Sequence, residues 1–236
     1  MDAEGLSDTV LPDGAETPDI VAAETVFTGK VWNVRRETFR YNGDDIVREF
    51  VDHTGAVAVL ALDEDDRALL IKQYRHPVRT REWEIPAGLL DLHGEPPLAA
   101  AKRELAEEAD LEADDWSVLA EFYTSPGGSD EAIRIYLART VRPTAHAFDR
   151  TEEEADIEKR WVPLDAVVDA VLGRRIQNPS LIVAALAART ARETGWAQLG
   201  AADSAWPRHP KLGHLDGTVS DGTVSAGTAT DGAGRS

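Results

Sequence analysis

An α/β or α+β sandwich is predicted for this chain, on three observations. Strand-like segments lie on both sides of one central helix, and further helix follows at the end. Two of the strands, "GAVAVLAL" and "RALLIKQYR", read as buried. The 236 residues, 42% of them hydrophobic, suffice for a core and for one or two domains.

Residues 1–22 are rich in Asp, Glu, Gly and Pro and carry no period, so a disordered acidic N-terminus is expected. They lack the basic start and apolar run of a signal peptide. Residues 23–55 alternate apolar and polar positions around "YNGDD", a hairpin turn, and form an N-terminal antiparallel β region. Residues 56–198 are the main folded domain. In it the two buried strands flank the turn "DEDDR", and "WEIPAG" is a short strand ended by a turn. A helix then runs from about Pro96 to Ala109, its proline pair suiting a first turn. "WSVLAEFYTS" and "AIRIYLARTVRP" are strands. "RWVPLDAVVDAVLGR" leads into a helix that stops near Gly173. "NPSLIVAALAARTARE" starts another, with Asn178 as N-cap and Pro179 at its first position. Residues 199–236, with their GTVS and GTAT theme, read as a flexible tail.

Composition narrows the function. The absence of cysteine excludes disulfides, zinc–thiolate sites and cysteine nucleophiles, and fits a reducing cytoplasm. The longest apolar run is far too short to cross a bilayer, so no membrane partner is expected. A net charge of −18 argues against a nucleic-acid partner. A small anionic ligand stays open, because a metal ion or local arginines can reverse the field inside one cleft.

The chemistry concentrates in "GLLDLHGEPPLAAAKRELAEEADL", residues 88–111. At about 100° per residue, Glu104, Glu107 and Glu108 share an arc of about 100°. Leu98, Leu105 and Ala109 form a separate apolar stripe. Arg103 lies within i,i+4 reach of Glu107. Carboxylates this close repel one another, and a hard divalent cation, Mg²⁺ or Mn²⁺, relieves the repulsion. An arginine can also hold one of them in place. The plain alternative is a solvated acidic face; the glycine turn, the proline pair and the "RELAEE" spacing together weigh against it.

These residues resemble the Nudix hydrolases, whose pattern is G-x5-E-x7-R-E-U-x-E-E-x-G-U with U apolar. Gly88, Glu95, Arg103, Glu104, Leu105, Glu107, Glu108 and Leu111 follow it in order. There are two departures: six residues separate Gly88 from Glu95, and Asp110 stands in place of the last glycine. Neither removes a candidate metal ligand, and aspartate tolerates a left-handed helix end better than most residues.

Outside the box, "FVDHTGAVAVLAL", "LLIKQYRHPV", "REWEIPAGLLD" and "YTSPGGSDE" are similar to the ADP-ribose pyrophosphatase branch. The longer "GLLD…GEPP" loop is similar to its actinobacterial members. The resemblance implies a Nudix α/β/α sandwich with a mixed sheet, and a homodimer whose N-terminal strands are packed across or exchanged with the partner.

It also implies roles. Glu104 and Glu108 would bind Mg²⁺ or Mn²⁺ directly, with Glu107 beside them and the Ala87 carbonyl, just before Gly88, as a further ligand. Arg103 would orient the carboxylates. Arg75 and Arg48 are candidates for the substrate's phosphates or terminal ribose, Arg48 in its own site or the partner's. Glu131 would contact substrate across the dimer. The water-activating base would be Glu153 in "RTEEEADIEKRW", with Glu154 or Glu152 as alternatives. The implied reaction is metal-dependent cleavage of ADP-ribose to AMP and ribose 5-phosphate. Gly128 stands where relatives often carry an aromatic, which bears on specificity. Other nucleoside diphosphate derivatives as substrates, or ADP-ribose sensing without turnover, are the competing readings.

Overall fold

The computed structural model describes residues 13–14, 16–148 and 156–212. Three sheets carry the chain. The first is the antiparallel meander β1 (Asp19–Thr28), β2 (Asn33–Tyr41) and β3 (Asp44–Asp52). Its β2–β3 hairpin turns at Asn42 and Gly43, with φ 52° and 89°. Two consecutive positive φ values are what a two-residue hairpin in a right-twisted ribbon requires, and Asn-Gly supplies them cheaply. The expected turn is therefore observed. β1 begins at Asp19, inside the stretch expected to be disordered, because it gains a full antiparallel ladder with β2.

The central sheet has the order β11-β8-β9-β4-β7. Its strands are β4 (Ala56–Ala61), β7 (Ala87–Leu89), β8 (Leu111–Tyr123), β9 (Ala132–Pro143) and β11 (Gly200–Ala201). β4 and β9 run parallel and the other pairs antiparallel, so the sheet is mixed. The third sheet is β10-β5-β6, from β5 (Arg67–Arg75), β6 (Thr80–Glu84) and β10 (Glu158–Pro163). "WEIPAG" is thus two strands in two sheets rather than one. Pro86 has no N–H to continue a ladder, and its carbonyl instead accepts from Val59 N–H at 2.8 Å.

β4 shows why the layers form. It is buried at every position, as a strand covered on both faces must be. Ala56, Ala58 and Leu60 pack with helices α2 (Leu164–Leu172) and α3 (Pro179–Glu193). Val57, Val59 and Ala61 pack with Ala100, Ala101, Leu105 and Ala109 of helix α1 (Pro97–Ala109). Period two along one strand therefore feeds two cores, and the result is an α/β/α sandwich. Asn178 caps α3 as expected, its side chain accepting from Leu181 N–H at 3.0 Å. Among the described residues no helix is long and apolar enough to cross a membrane.

The stretch 199–212 departs from the tail reading. Trp206 and His209 are buried, and burial pushes the His209 imidazole down to about 4. An indole and a neutral imidazole within 16 residues of the last helix are enough to return the chain to the body of the fold. Residues 213–236 lie outside the described part.

Candidate active site

Helix α1 sets the acids in place. Its stripe of alanines and Leu105 is driven onto the central sheet, which leaves Arg103, Glu104 and Glu107 off that stripe, with Glu104 against the strand β7. Gly88 on β7 lies directly under Glu104. A Cβ there would overlap the Glu104 carboxylate, so only glycine leaves the acid its room. One residue earlier, Ala87 N–H donates to Glu108 Oε2 at 3.0 Å. Glu108 is 4% exposed, so this bond fixes a carboxylate that has little water around it.

Arg103 binds the rest together. Its Nε and Nη2 each donate to Glu95 at 3.0 Å, a bidentate pair across the box. Its Nη1 donates to Glu104 Oε1 at 2.6 Å and to Glu107 Oε2 at 3.0 Å. The guanidinium holds the Glu95 carboxyl below its ordinary range, and Glu95 in turn raises Arg103 further. The structural role of Glu95 went unrecognised in the sequence, although its place in the spaced pattern marked it. Among the described residues no three acids or histidines already surround one point. Glu104 and Glu107 are instead turned onto Arg103. The donor set still suits a hard divalent cation: hard oxygens, one of them in a cradle that a Cβ would fill, beside a strand carrying backbone carbonyls.

Asp110 ends α1 in the left-handed region, φ 58° and ψ 37°. Its side chain does what glycine could not. Oδ1 accepts from Phe148 N–H at 2.8 Å and Oδ2 from Lys159 Nζ at 2.5 Å. Replacing Asp110 with Ala keeps the strained backbone and removes both bonds. A loss of about 1–3 kcal/mol in unfolding free energy is expected from urea titration. An unchanged midpoint would mean that these bonds hold nothing.

The other predicted residues are dispersed. Arg75 donates from Nε and Nη2 to Glu84, at 2.8 and 2.7 Å, and Glu84 is buried. Gln73 shares that acid. The strand alternation of "QYR" and "EWE" carried this pairing, but cross-strand register does not follow from alternation alone. Arg48 is on β3 in the N-terminal sheet and donates to Val47 O at 2.8 Å. Glu131 accepts from the Thr124 hydroxyl at 2.6 Å and lies 3.4 Å from His53 Nε2. A Cβ on Gly128 would meet nothing within 4 Å, so this position is open space. Glu152, Glu153 and Glu154 lie outside the described residues.

Residues 52–182 match the model of the NUDIX domain. The chain is 42% identical over 197 residues to an ADP-ribose pyrophosphatase of Mycobacterium tuberculosis, covering 81% of this chain and 92% of the relative. It is 36% identical over 159 residues to an ADP-ribose pyrophosphatase of Bacillus subtilis, covering 67% and 85%. A solved structure titled as an ADP compounds hydrolase superposes with a TM-score of 0.64 at 24% identity, over 78% of this chain and 99% of that one.

Proposed function

The chain belongs to the Nudix family, and from that premise we propose that it hydrolyses the diphosphate of ADP-ribose to AMP and ribose 5-phosphate. The observation that carries the reading is the set of four glutamates around Arg103 and Ala87, with Glu104 seated over Gly88.

Glu104, Glu108, the Ala87 carbonyl and Glu107 would hold Mg²⁺, with Mn²⁺ as a substitute. A cation held there would supply charge neutralisation for the diphosphate oxygens and a lowered pKa for water. The chain's own groups do the rest. Ala87 N–H and Arg103 keep Glu108 and Glu104 in place before substrate arrives, so little reorganisation remains for the reaction itself. Glu153 takes the proton of the attacking water; Glu152 and Glu154 are the neighbouring alternatives. The water oxygen bonds to one phosphorus, the bridging P–O bond breaks, and the second phosphate leaves. Arg75 and Arg48 meet the substrate's phosphates or terminal ribose, and Glu131 meets substrate across a dimer.

That dimer is a homodimer built on the N-terminal strands. Ile20, Val21, Val26, Phe27, Val31 and Trp32 are exposed there, more apolar surface than a lone sheet face should show water. Sedimentation at micromolar concentration checks it, and a monomer would overturn it. The cytoplasm is the proposed setting, in keeping with the absence of cysteine.

AMP release from ADP-ribose with Mg²⁺, beside nucleotide sugars and dinucleotides, tests the activity. Metal-dependent turnover selective for ADP-ribose is expected. Equal turnover across the panel would move the assignment to a broader diphosphatase, with the open space at Gly128 as its physical cause.

A further inference from the structure

Residues 203–212 run from the last short strand across the face of the central sheet, and a buried cation fixes their course. Arg134 on β9 is 2% exposed. A guanidinium in such surroundings needs partners for its donors. Nε donates to Glu121 at 2.8 Å, Nη1 to Ser204 O at 2.8 Å and Nη2 to Ala205 O at 2.9 Å. The same group lies 4.7 Å from the centre of the Trp206 ring. The His209 ring meets Trp206 edge-on at 4.6 Å and is packed onto Gly55, where a Cβ would overlap it. His209 Nδ1 accepts from the N–H groups of Lys211 and Leu212 at 3.1 and 3.0 Å. The segment is thus anchored residue by residue, and its end presents one ammonium group.

That ammonium joins two parts of the chain far apart in sequence. Lys211 Nζ donates to Asp52 Oδ1 at 2.5 Å and to His53 O at 2.6 Å, at the end of β3. It lies 3.8 Å from Asp130 Oδ2, in the loop between β8 and β9. Asp130 Oδ1 in turn accepts from His53 N–H at 2.7 Å, and Val51 N–H donates to Gly128 O at 2.9 Å. Next to Asp130 is Glu131. Asp52, Asp130 and Glu131 gather three negative charges at this junction. Burial lowers the His53 imidazole below its ordinary range, so it adds no charge at neutral pH. Lys211 is the cation set against them. The same segment also walls a cavity of about 880 Å³ whose other side is the box loop from Leu90 to Pro97.

We propose that Lys211 is a positioning residue for substrate binding: seated on the Arg134–Trp206–His209 anchor, it clamps the end of β3 to the β8–β9 loop and so sets where Glu131 stands. This rests on the reading of Glu131 as a substrate contact. The clamp touches neither the acids of α1 nor Arg103. Its loss therefore weakens the hold on substrate and leaves the chemical step at its old rate.

Kinetics of the full chain with Lys211→Met test this. KM for ADP-ribose should rise roughly tenfold while kcat stays within about twofold, the pattern of lost uniform binding. Lys211→Arg should restore most of the affinity, since its guanidinium reaches the same acceptors. Amide hydrogen exchange should quicken in peptides spanning 51–54 and 128–131. In a Glu131→Gln background, Lys211→Met should add no further rise in KM. An unshifted KM, a shift of equal size in both backgrounds, or unchanged exchange overturns the role of Lys211. Failure of the unaltered chain to cleave ADP-ribose is a different result and sinks the functional reading itself.

Discussion

Replacing Glu108 with Gln is expected to cut kcat by on the order of 10³-fold while leaving the fold intact. Glu108 is buried, and Ala87 N–H already holds one of its oxygens. Gln fills the same volume, and its carbonyl oxygen can accept that hydrogen bond. What disappears is the negative charge and the second anionic oxygen. A hard cation loses a ligand there, and the stabilisation of the diphosphate's charge goes with it. The thermal midpoint should stay near that of the unaltered chain, or rise, since one member of a repelling set has been neutralised. Steady-state AMP release and a melting curve decide the matter together. A variant that keeps its rate with Mg²⁺ would remove Glu108 from the metal set and leave it as a buried tie between α1 and β7.

Gly88→Ala is the second change with a large expected effect, on the order of 10²-fold in kcat. No charge is altered, and the backbone at Gly88 is not in the left-handed region, so the alanine itself can sit on β7. The cost comes from the Glu104 carboxylate, whose place the new methyl would take. Glu104 must swing away, carrying with it the 2.6 Å bond to Arg103. Arg103 also serves Glu95 and Glu107, so one methyl group disturbs all three pairs. Metal titration should report weaker Mg²⁺ binding in parallel with the lost rate. Wild-type metal affinity in Gly88→Ala would show that Glu104 works from another position than the one above the glycine.

The two changes probe the same site from opposite sides. One removes charge and keeps shape; the other keeps charge and moves it. If both lower kcat and only Gly88→Ala changes the contacts of Arg103, the arginine is the element that orients the acids, as its four bonds suggest.

How much of this was legible without coordinates depends on the range of the interaction. The acids of α1, the Asn-Gly hairpin, the cap at Asn178 and the two-faced β4 are short-range facts. A helix turns about 100° per residue and a strand alternates with period two whatever surrounds them. Spacing therefore placed Glu104, Glu107 and Glu108 on one arc of the helix, and the family pattern brought in Gly88. What stayed hidden came from contacts between distant segments. Glu84 lies nine residues from the Arg75 it neutralises, across a strand register that alternation does not specify. Lys211 lies 159 residues from Asp52 and sits just before the small polar repeats, in the stretch 199–236 that reads as a tail. Trp206 and His209 return that stretch to the core only because Arg134 and Gly55 wait there to receive them. Local order was written in the residue pattern; the partners of each buried charge were chosen by packing, because desolvation forces every such group to find a hydrogen-bonding or oppositely charged partner in space rather than in sequence.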